Sequence, residues 1–246
     1  MGKAFSLAMA FLVSVLALGA GRADAALILY AQAAGVNGGA ITQIGAGADF
    51  TEASFTGTYG DFTLTILGAA STNDPTLSNL LSAAVSLKNN SATTSTISLY
   101  ASQDNYSLPV GTPLVVESGL GGTVNIGDLS GSGVFQAYAD AGNALLGLAD
   151  FTNGPQDVVF DGSTFDTGSA TGLFDRVGLY SLTSQVTATV SGGGEGNFSS
   201  HVNVTAVPEA STFAMAAIGG VCLLGWYGLR RKVEGETRFP LGLSPR

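Results

Sequence analysis

Short segments that alternate apolar and hydroxylated residues recur along the middle of this chain. Residues 62–66 read FTLTI and residues 95–100 read STISLY, so that Ile97 and Leu99 share one face. A period of two puts every second side chain on the same face of a strand, which predicts half-buried β-strands. Comparable segments occupy residues 27–31, 83–87, 123–126, 134–138, 158–160, 179–190 and 197–206. Roughly a dozen short strands with no helical period of useful length favour a single all-β domain, a β-sandwich or jelly roll over residues 26–206.

The last two of these segments are the longest. Residues 179–190 put Leu182, Val186, Ala188 and Val190 largely on one face, and residues 197–206 do the same with Phe198, Val202 and Val204. The glycine-rich sequence SGGGEG lies between them at 191–196. This arrangement predicts an antiparallel hairpin. Asp74 before Pro75 predicts a short capped helix over residues 74–81.

The same middle region is strongly acidic. Residues 26–206 contain fourteen acidic and two basic residues, Lys88 and Arg176, and hence carry a formal charge of −12. Such a surface repels nucleic acid phosphate, which excludes DNA and RNA as partners. The one cysteine, Cys222, lies outside this region, so the domain is expected to fold without disulfides.

The first 25 residues predict a signal peptide. Lys3 supplies the positive n-region, residues 4–20 are apolar apart from two serines, and Ala23 and Ala25 fit the small-x-small rule for signal peptidase. We expect cleavage after Ala25. The alternative is an uncleaved anchor helix, since the apolar stretch approaches the length of a membrane span.

The C-terminal residues predict a membrane anchor. Residues 213–229 form an uncharged run of 17 residues, about 26 Å as a helix against a hydrocarbon core of roughly 30 Å. A basic stop of Arg230, Arg231 and Lys232 follows and is expected to stay in the cytoplasm, with the domain outside and lipid around the helix. The alternative is an amphipathic or buried C-terminal helix.

A polar marker, Val207-Pro208-Glu209, precedes this run, and Ser211-Thr212 follow the marker. Marker, apolar span and basic stop over residues 207–232 together resemble the PEP-CTERM sorting tail of Gram-negative bacteria, also labelled the ice-binding protein C-terminal domain. The resemblance implies processing by an exosortase, transient anchoring in the inner membrane, and final residence in the envelope or outside the cell, with exopolysaccharide or biofilm. Ala210 stands where the family usually has a second proline, and residues 233–246 add a cytoplasmic extension.

The sequence predicts no catalytic, cofactor-binding or metal-binding residues. His201 is expected to be a polar-face strand residue, because no GxSxG elbow accompanies it. Asp166-Thr167-Gly168 matches an aspartic protease motif, but a second copy is missing, so a turn is the better interpretation. A calcium site is a weaker alternative, because the oxygen atoms of loop residues could bind Ca²⁺. The candidate ligands are Asn153 and five aspartates, Asp150, Asp157, Asp161, Asp166 and Asp175.

Three hypotheses follow for the function. The leading one is an exported, non-enzymatic protein of the cell surface or extracellular matrix. The alternative is a carbohydrate- or ice-binding module, with a sugar-stacking platform or flat threonine faces that order water; the platform would comprise Tyr100, Tyr106, Phe135, Tyr138 and Tyr180. The third is an enzyme, for instance a glycoside hydrolase that uses two of the acidic residues.

Overall fold

A computed structural model describes residues 26–48, 50–126, 132–159 and 163–207, together with 218, 221–223 and 226. The long described segments form an all-β fold of two antiparallel sheets that pack face to face, as the sequence predicts. The strands are β1 (Leu27–Ala33), β2 (Thr42–Gly47), β3 (Glu52–Tyr59), β4 (Phe62–Thr72), β5 (Ser78–Asn89), β6 (Ser95–Tyr106), β7 (Leu114–Ile126), β8 (Ser132–Asp140), β9 (Phe151–Thr152), β10 (Gln156–Val159), β11 (Thr164–Asp166), β12 (Ala170–Phe174), β13 (Tyr180–Val190) and β14 (Glu195–Ala206).

Among the described residues, each sheet contains seven strands. Sheet A has the order β10-β8-β13-β6-β1-β2, with β9 also paired to β8, and sheet B has the order β11-β7-β14-β5-β4-β3, with β12 also paired to β7. The chain divides into two compact units, Met1–Ala206 and Val207–Arg246, and both sheets belong to the first.

The core lies between the inner faces of the two sheets. The residues that the sequence placed on one face are buried there, namely Ile97, Leu99, Leu182, Val186, Ala188, Val190, Phe198, Val202 and Val204. Inward and outward positions alternate along β14 without a break from Glu195 to Thr205, which is the expected signature of a strand with one solvated face. The predicted faces of these three strands are therefore confirmed.

The predicted hairpin of the last two long strands is wrong. β13 pairs with β6 and β8 in sheet A, whereas β14 pairs with β5 and β7 in sheet B. The glycine-rich loop crosses between the sheets, and Asn89 holds it there, since its Nδ2 donates to the carbonyls of Val190 (2.9 Å) and Ser191 (3.2 Å). Alternation identifies the buried face of a strand but not its neighbour, because both strands bury their apolar residues equally well in opposite sheets.

The predicted helix over residues 74–81 is also wrong, since β5 begins at Ser78. Asp74 instead forms a turn, in which its Oδ1 accepts from the N–H (2.8 Å) and the hydroxyl (2.6 Å) of Thr76. The hydrogen bond from the Thr76 hydroxyl, together with that from its N–H, lowers the pKa of the Asp74 carboxyl. A local aspartate turn thus competed successfully with the helix cap that the same residues suggest.

At each lateral edge of the described sandwich, residues at the edge of one sheet contact the other sheet. At one edge β2 lies against β3: a Cβ on Gly47 would come within 2.2 Å of the Glu52 carbonyl oxygen, and one on Gly45 within 3.0 Å of that of Ser54. At the other edge Asn153, beside β9 of sheet A, donates its Nδ2 to Val116 O and Ser118 Oγ of β7, both at 3.0 Å. At the first edge, glycine at positions 45 and 47 therefore lets the backbone of β2 come closer to that of β3 than any larger residue would allow.

Three buried serines join the two sheets inside the core. The hydroxyl oxygens of Ser82 on β5 and Ser200 on β14 are 2.7 Å apart, and Ser184 on β13 lies 3.2 and 2.9 Å from them. Each hydroxyl can donate once and accept once around this ring. The three hydroxyls thereby have hydrogen-bond partners within the protein, and these bonds offset the cost of removing the hydroxyls from water.

Candidate functional site

The outer face of sheet B carries an open groove of about 630 Å³. It crosses the four strands β3, β4, β5 and β14 and is therefore about 14 Å wide in that direction, from three interstrand spacings of ~4.8 Å. The outward side chains that line it are Glu52, Ser54, Gly68, Ala70, Leu81, Ala83, Ser199 and His201. A groove of this volume falls in the range of ligand-binding clefts.

The groove exists because two neighbouring rows of cross-strand partners are mostly small. One row runs Glu52, Ala70, Leu81, His201, Gly119 from β3 to β7, and the other runs Ser54, Gly68, Ala83, Ser199, Gly121. Directly opposite residues in an antiparallel sheet share a face, so these side chains form one continuous floor. The next row is larger and polar, with Thr72, Asn79, Asn203 and Glu117. The pairing of distant strands thus creates the groove.

His201 is an outward, half-buried residue of β14, which confirms its predicted place on the polar face of a strand. A Cβ on Gly119 would lie 3.0 Å from His201 Cε1 and 2.6 Å from the carbonyl oxygen of Gly168. The missing side chain at Gly119 therefore makes room for both the imidazole and the loop beside it. Within the described segments neither ring nitrogen of His201 has a hydrogen-bond partner, so no nucleophile–base pair is formed there.

The Asp166-Thr167-Gly168 segment is a turn, as the sequence predicts. The N–H of Gly168 donates to Asp166 Oδ1 at 2.6 Å, and the Thr167 hydroxyl accepts from the N–H of Leu120 at 2.9 Å. Asp166 pairs with Gly121 in register, and a Cβ there would lie 4.0 Å from its carboxylate. The carboxylate therefore lies at the β11 end of the second row, and it forms no paired-acid site among the described residues.

Three of the aspartates considered for calcium, Asp150, Asp166 and Asp175, each accept a hydrogen bond from a different part of the chain, and Asp157 on β10 is exposed. Asp150 Oδ2 accepts from the N–H of Ala141 at 3.0 Å, and Asp175 Oδ1 accepts from the hydroxyl of Thr112 at 3.3 Å. Asn153 donates its Nδ2 to the carbonyl oxygen of Val116 at 3.0 Å. Across the segments that the structure describes, no three acidic, histidine or cysteine side chains come together to hold a metal; Asp161 lies outside them.

The predicted aromatic platform is wrong. Tyr106, Phe135 and Tyr180 are fully buried in the core, where the rings of Tyr106 and Tyr180 stack at 5.3 Å between centroids. Burial raises the pKa of the Tyr180 hydroxyl to about 12. Tyr100 and Tyr138 lie on the outer side of sheet A but are also buried, and they donate to Gln32 Oε1 (2.9 Å) and Gln185 Oε1 (3.0 Å) respectively. None of the five presents a free ring face to a sugar.

The outer face of sheet A carries a ladder of hydroxyl pairs between β6 and β13. The pairs are Thr96 with Thr189 (3.0 Å), Ser98 with Thr187 (2.8 Å) and Ser102 with Thr183 (2.9 Å). Each hydroxyl is bonded across the strands, an arrangement that stabilises the sheet. The threonine face considered for ordering water corresponds to this ladder.

Of the residues predicted to direct sorting, the structure describes Val207, which has no regular secondary structure and is 37% exposed. The signal-peptidase residues Ala23 and Ala25, the motif residues Pro208 and Glu209, and the basic stop Arg230, Arg231 and Lys232 lie outside the described residues. In the tail, Ile218, Trp226 and residues 221–223 have helical backbone and are exposed. No helix within the described residues has both the length and the apolar character to cross a membrane.

Comparisons with known proteins were made on both sequence and structure. No protein-family model matches the chain, and no curated protein matches it in sequence. Among solved structures it is similar to the carbohydrate-binding module TmCBM27, described as a mannan-recognising module, with 13% identity and a TM-score of 0.29. That similarity covers 61% of this chain and 90% of the module.

Proposed function

We propose that this chain is an exported, non-enzymatic protein of the cell surface or extracellular matrix. A contact at the start of the sandwich carries the proposal. β1 begins at Leu27, and the N–H of Ala26 donates to Asp104 Oδ1 at 2.9 Å. Cleavage after Ala25 leaves every strand intact and places the new ammonium group against a carboxylate. An amino terminus created at this position is thus accommodated by the fold, which supports removal of residues 1–25.

The other end of the sandwich supports the same proposal. β14 ends at Ala206, and the sorting motif begins at the next residue, Val207, which is exposed. A processing enzyme needs accessible, extended backbone, and Pro208 favours that conformation in the residue before it. We propose that an exosortase-type enzyme acts at this motif while the 213–229 helix holds the chain in the inner membrane.

The groove on sheet B favours ligand binding as the task of the exported domain. The hydroxyls of Ser54 and Ser199 and the Glu52 carboxylate face an open space and offer hydrogen-bonding groups to a polar ligand. No nucleophile–base pair accompanies them among the described residues, which supports binding rather than catalysis. Polysaccharide of the cell's own matrix is the partner that export and sorting make available.

Intact-mass analysis of the protein recovered from membranes and medium tests the export proposal. We expect the mass to begin at Ala26, with the tail present in the membrane fraction and removed after the motif in the outer envelope or medium. Replacing Ala25 by Phe blocks the small-x-small site and should leave residues 1–25 attached, whereas Ala17→Phe, in the apolar run, should not. Full-length chain that is soluble in the cytoplasm would contradict the proposal.

A further inference from the structure

We propose that the groove on sheet B binds an extended glycan strand that carries free amino groups. This inference rests on the proposed function and names the ligand class of that site.

Charge selects a cationic ligand. The outer face of sheet B carries the carboxylates of Glu52, Glu117, Asp166 and Glu195, and Lys88 is the one cation that its described strands present. Glu52 lies in the groove itself, exposed and without a hydrogen-bond partner among the described residues. Polymers with carboxylate, sulfate or phosphate groups are therefore repelled, and an ammonium group gains a partner.

The backbone beneath the groove argues against a peptide. An extended peptide usually binds a sheet by pairing with the free amides of an edge strand. Here the groove crosses β3, β4, β5 and β14. The last three are already paired with a strand on both sides, and β2 lies against the part of β3 that lines the groove, at Glu52 and Ser54. A peptide lying across them would leave its own backbone groups unpaired, which is costly when they are desolvated. A glycan brings hydroxyls that can donate and accept in any direction.

The side chains in the groove suit the two faces of a sugar ring. Leu81, which is 43% exposed, and the His201 ring are direct cross-strand neighbours and offer apolar surface to the C–H face. The hydroxyls of Ser54 and Ser199 lie in the adjacent row, on either side of Gly68 and Ala83. The small residues between the two serines leave the floor of the groove open, so that a glycan chain can lie across the sheet.

The test is titration calorimetry on the full chain in detergent, with three hexasaccharide probes of defined charge. Fully deacetylated chitohexaose is expected to bind saturably, its N-acetylated form more weakly, and hexagalacturonate not at all at low salt. Equal binding of the two chito-oligosaccharides would overturn the amino-group assignment, and binding of the galacturonate would overturn the charge argument.

Matched variants separate the groove from the general acidity of the domain. Glu52→Gln and Asp157→Asn each remove one exposed carboxylate, the second on a sheet A strand. We expect Glu52→Gln to weaken binding about two- to fivefold, the range of an exposed ion pair, and Asp157→Asn to leave it unchanged. Equal effects of the two would mean non-specific attraction and overturn the proposal.

A bulky residue tests the location directly. Ala83→Trp fills the groove and should abolish saturable binding, whereas Val134→Trp on the outer face of sheet A should not. Circular dichroism identifies a variant that fails to fold, in which case Ser199→Trp at the exposed neighbouring position replaces Ala83→Trp. Hexalysine that binds as tightly as deacetylated chitohexaose, with the same dependence on Glu52, would assign the site to basic peptides and overturn the glycan assignment. Export is scored separately by intact mass, so failure here leaves that result standing.

Discussion

The backbone nitrogen of Ala26 lies 2.9 Å from Oδ1 of Asp104, although 78 residues separate the two in sequence. In the uncut chain this is an amide donating to a carboxylate. In a chain that begins at Ala26 the same contact would join an ammonium group to a carboxylate and would be an ion pair.

The Asp104→Asn variant tests this pair. We expect it to lower the free energy of unfolding of protein that begins at Ala26 by up to ~1 kcal/mol at low salt, since the pair is partly exposed. The loss should shrink in 1 M salt, where the Debye length is about 3 Å. Urea unfolding at low salt and in 1 M salt measures the loss of unfolding free energy under each condition, with Asp157→Asn as the control. A salt-independent loss would show that the charge of the new terminus plays no part.

The buried serine ring predicts non-additive mutations. Ser184→Ala leaves Ser82 and Ser200 bonded to each other at 2.7 Å but removes one partner from each, at an expected cost of about 1–3 kcal/mol. The triple Ser82, Ser184 and Ser200 to Ala variant removes every polar atom of the ring, so it should cost less than the sum of the three single changes. Urea unfolding of the four variants is the measurement, and simple additivity would contradict the argument.

Alkaline pH should destabilise the sandwich through Tyr180. Burial raises its folded-state pKa to about 12, above the usual value of 10.0 for a tyrosine side chain. The unfolded chain therefore loses this proton first, and the stability that the neutral tyrosine contributes is complete below pH ~10 and is lost as the pH rises towards 12. Tyr180→Phe should flatten the decline of melting temperature over this interval. At neutral pH it should cost about 1 kcal/mol, because the hydroxyl donates to the carbonyl of Leu108. An unchanged alkaline slope would contradict the assignment.

Two glycines of β7 should differ in their tolerance of alanine. A Cβ on Gly119 would lie 2.6 Å from the backbone oxygen of Gly168, whereas the nearest atom to one on Gly121 is at 3.6 Å. We expect Gly119→Ala to destabilise by about 1–3 kcal/mol, as overpacking does, and Gly121→Ala to cost less. Thermal unfolding of the pair decides this, and equal losses would mean that the Gly168 loop yields without penalty.

Alternation of side chains was sufficient to predict the all-β class and the buried faces. Ile97, Leu99, Leu182 and Phe198 are inward because a strand with one solvated face buries every second residue. Pairing could not be read in this way. The partners of β13 and β14 are set by how two sheets stack, and the glycine-rich loop between them serves equally well as a hairpin turn or as a crossing between sheets.

The groove was not predicted from the sequence. Glu52, Leu81 and His201 come from three strands that are distant in the chain, and small outward residues such as Gly68, Ala70 and Ala83 give no chemical signal of their own. The tyrosines were predicted to bind sugars because exposed aromatic rings stack on sugar rings. Aromatic residues also bury large apolar surfaces in protein cores, and Tyr106 and Tyr180 are buried in the core here. Asp104 was missed because its partner is a backbone nitrogen.

The close approach of β2 and β3 at Gly45 and Gly47 affects how strands of two molecules could pair at high protein concentration. An unpaired strand edge offers free N–H and C=O groups with which a second copy of the chain can pair. Here β2 lies against the first residues of β3, so the backbone of β3 at Glu52 and Ser54 is closed to pairing with a strand of a second molecule.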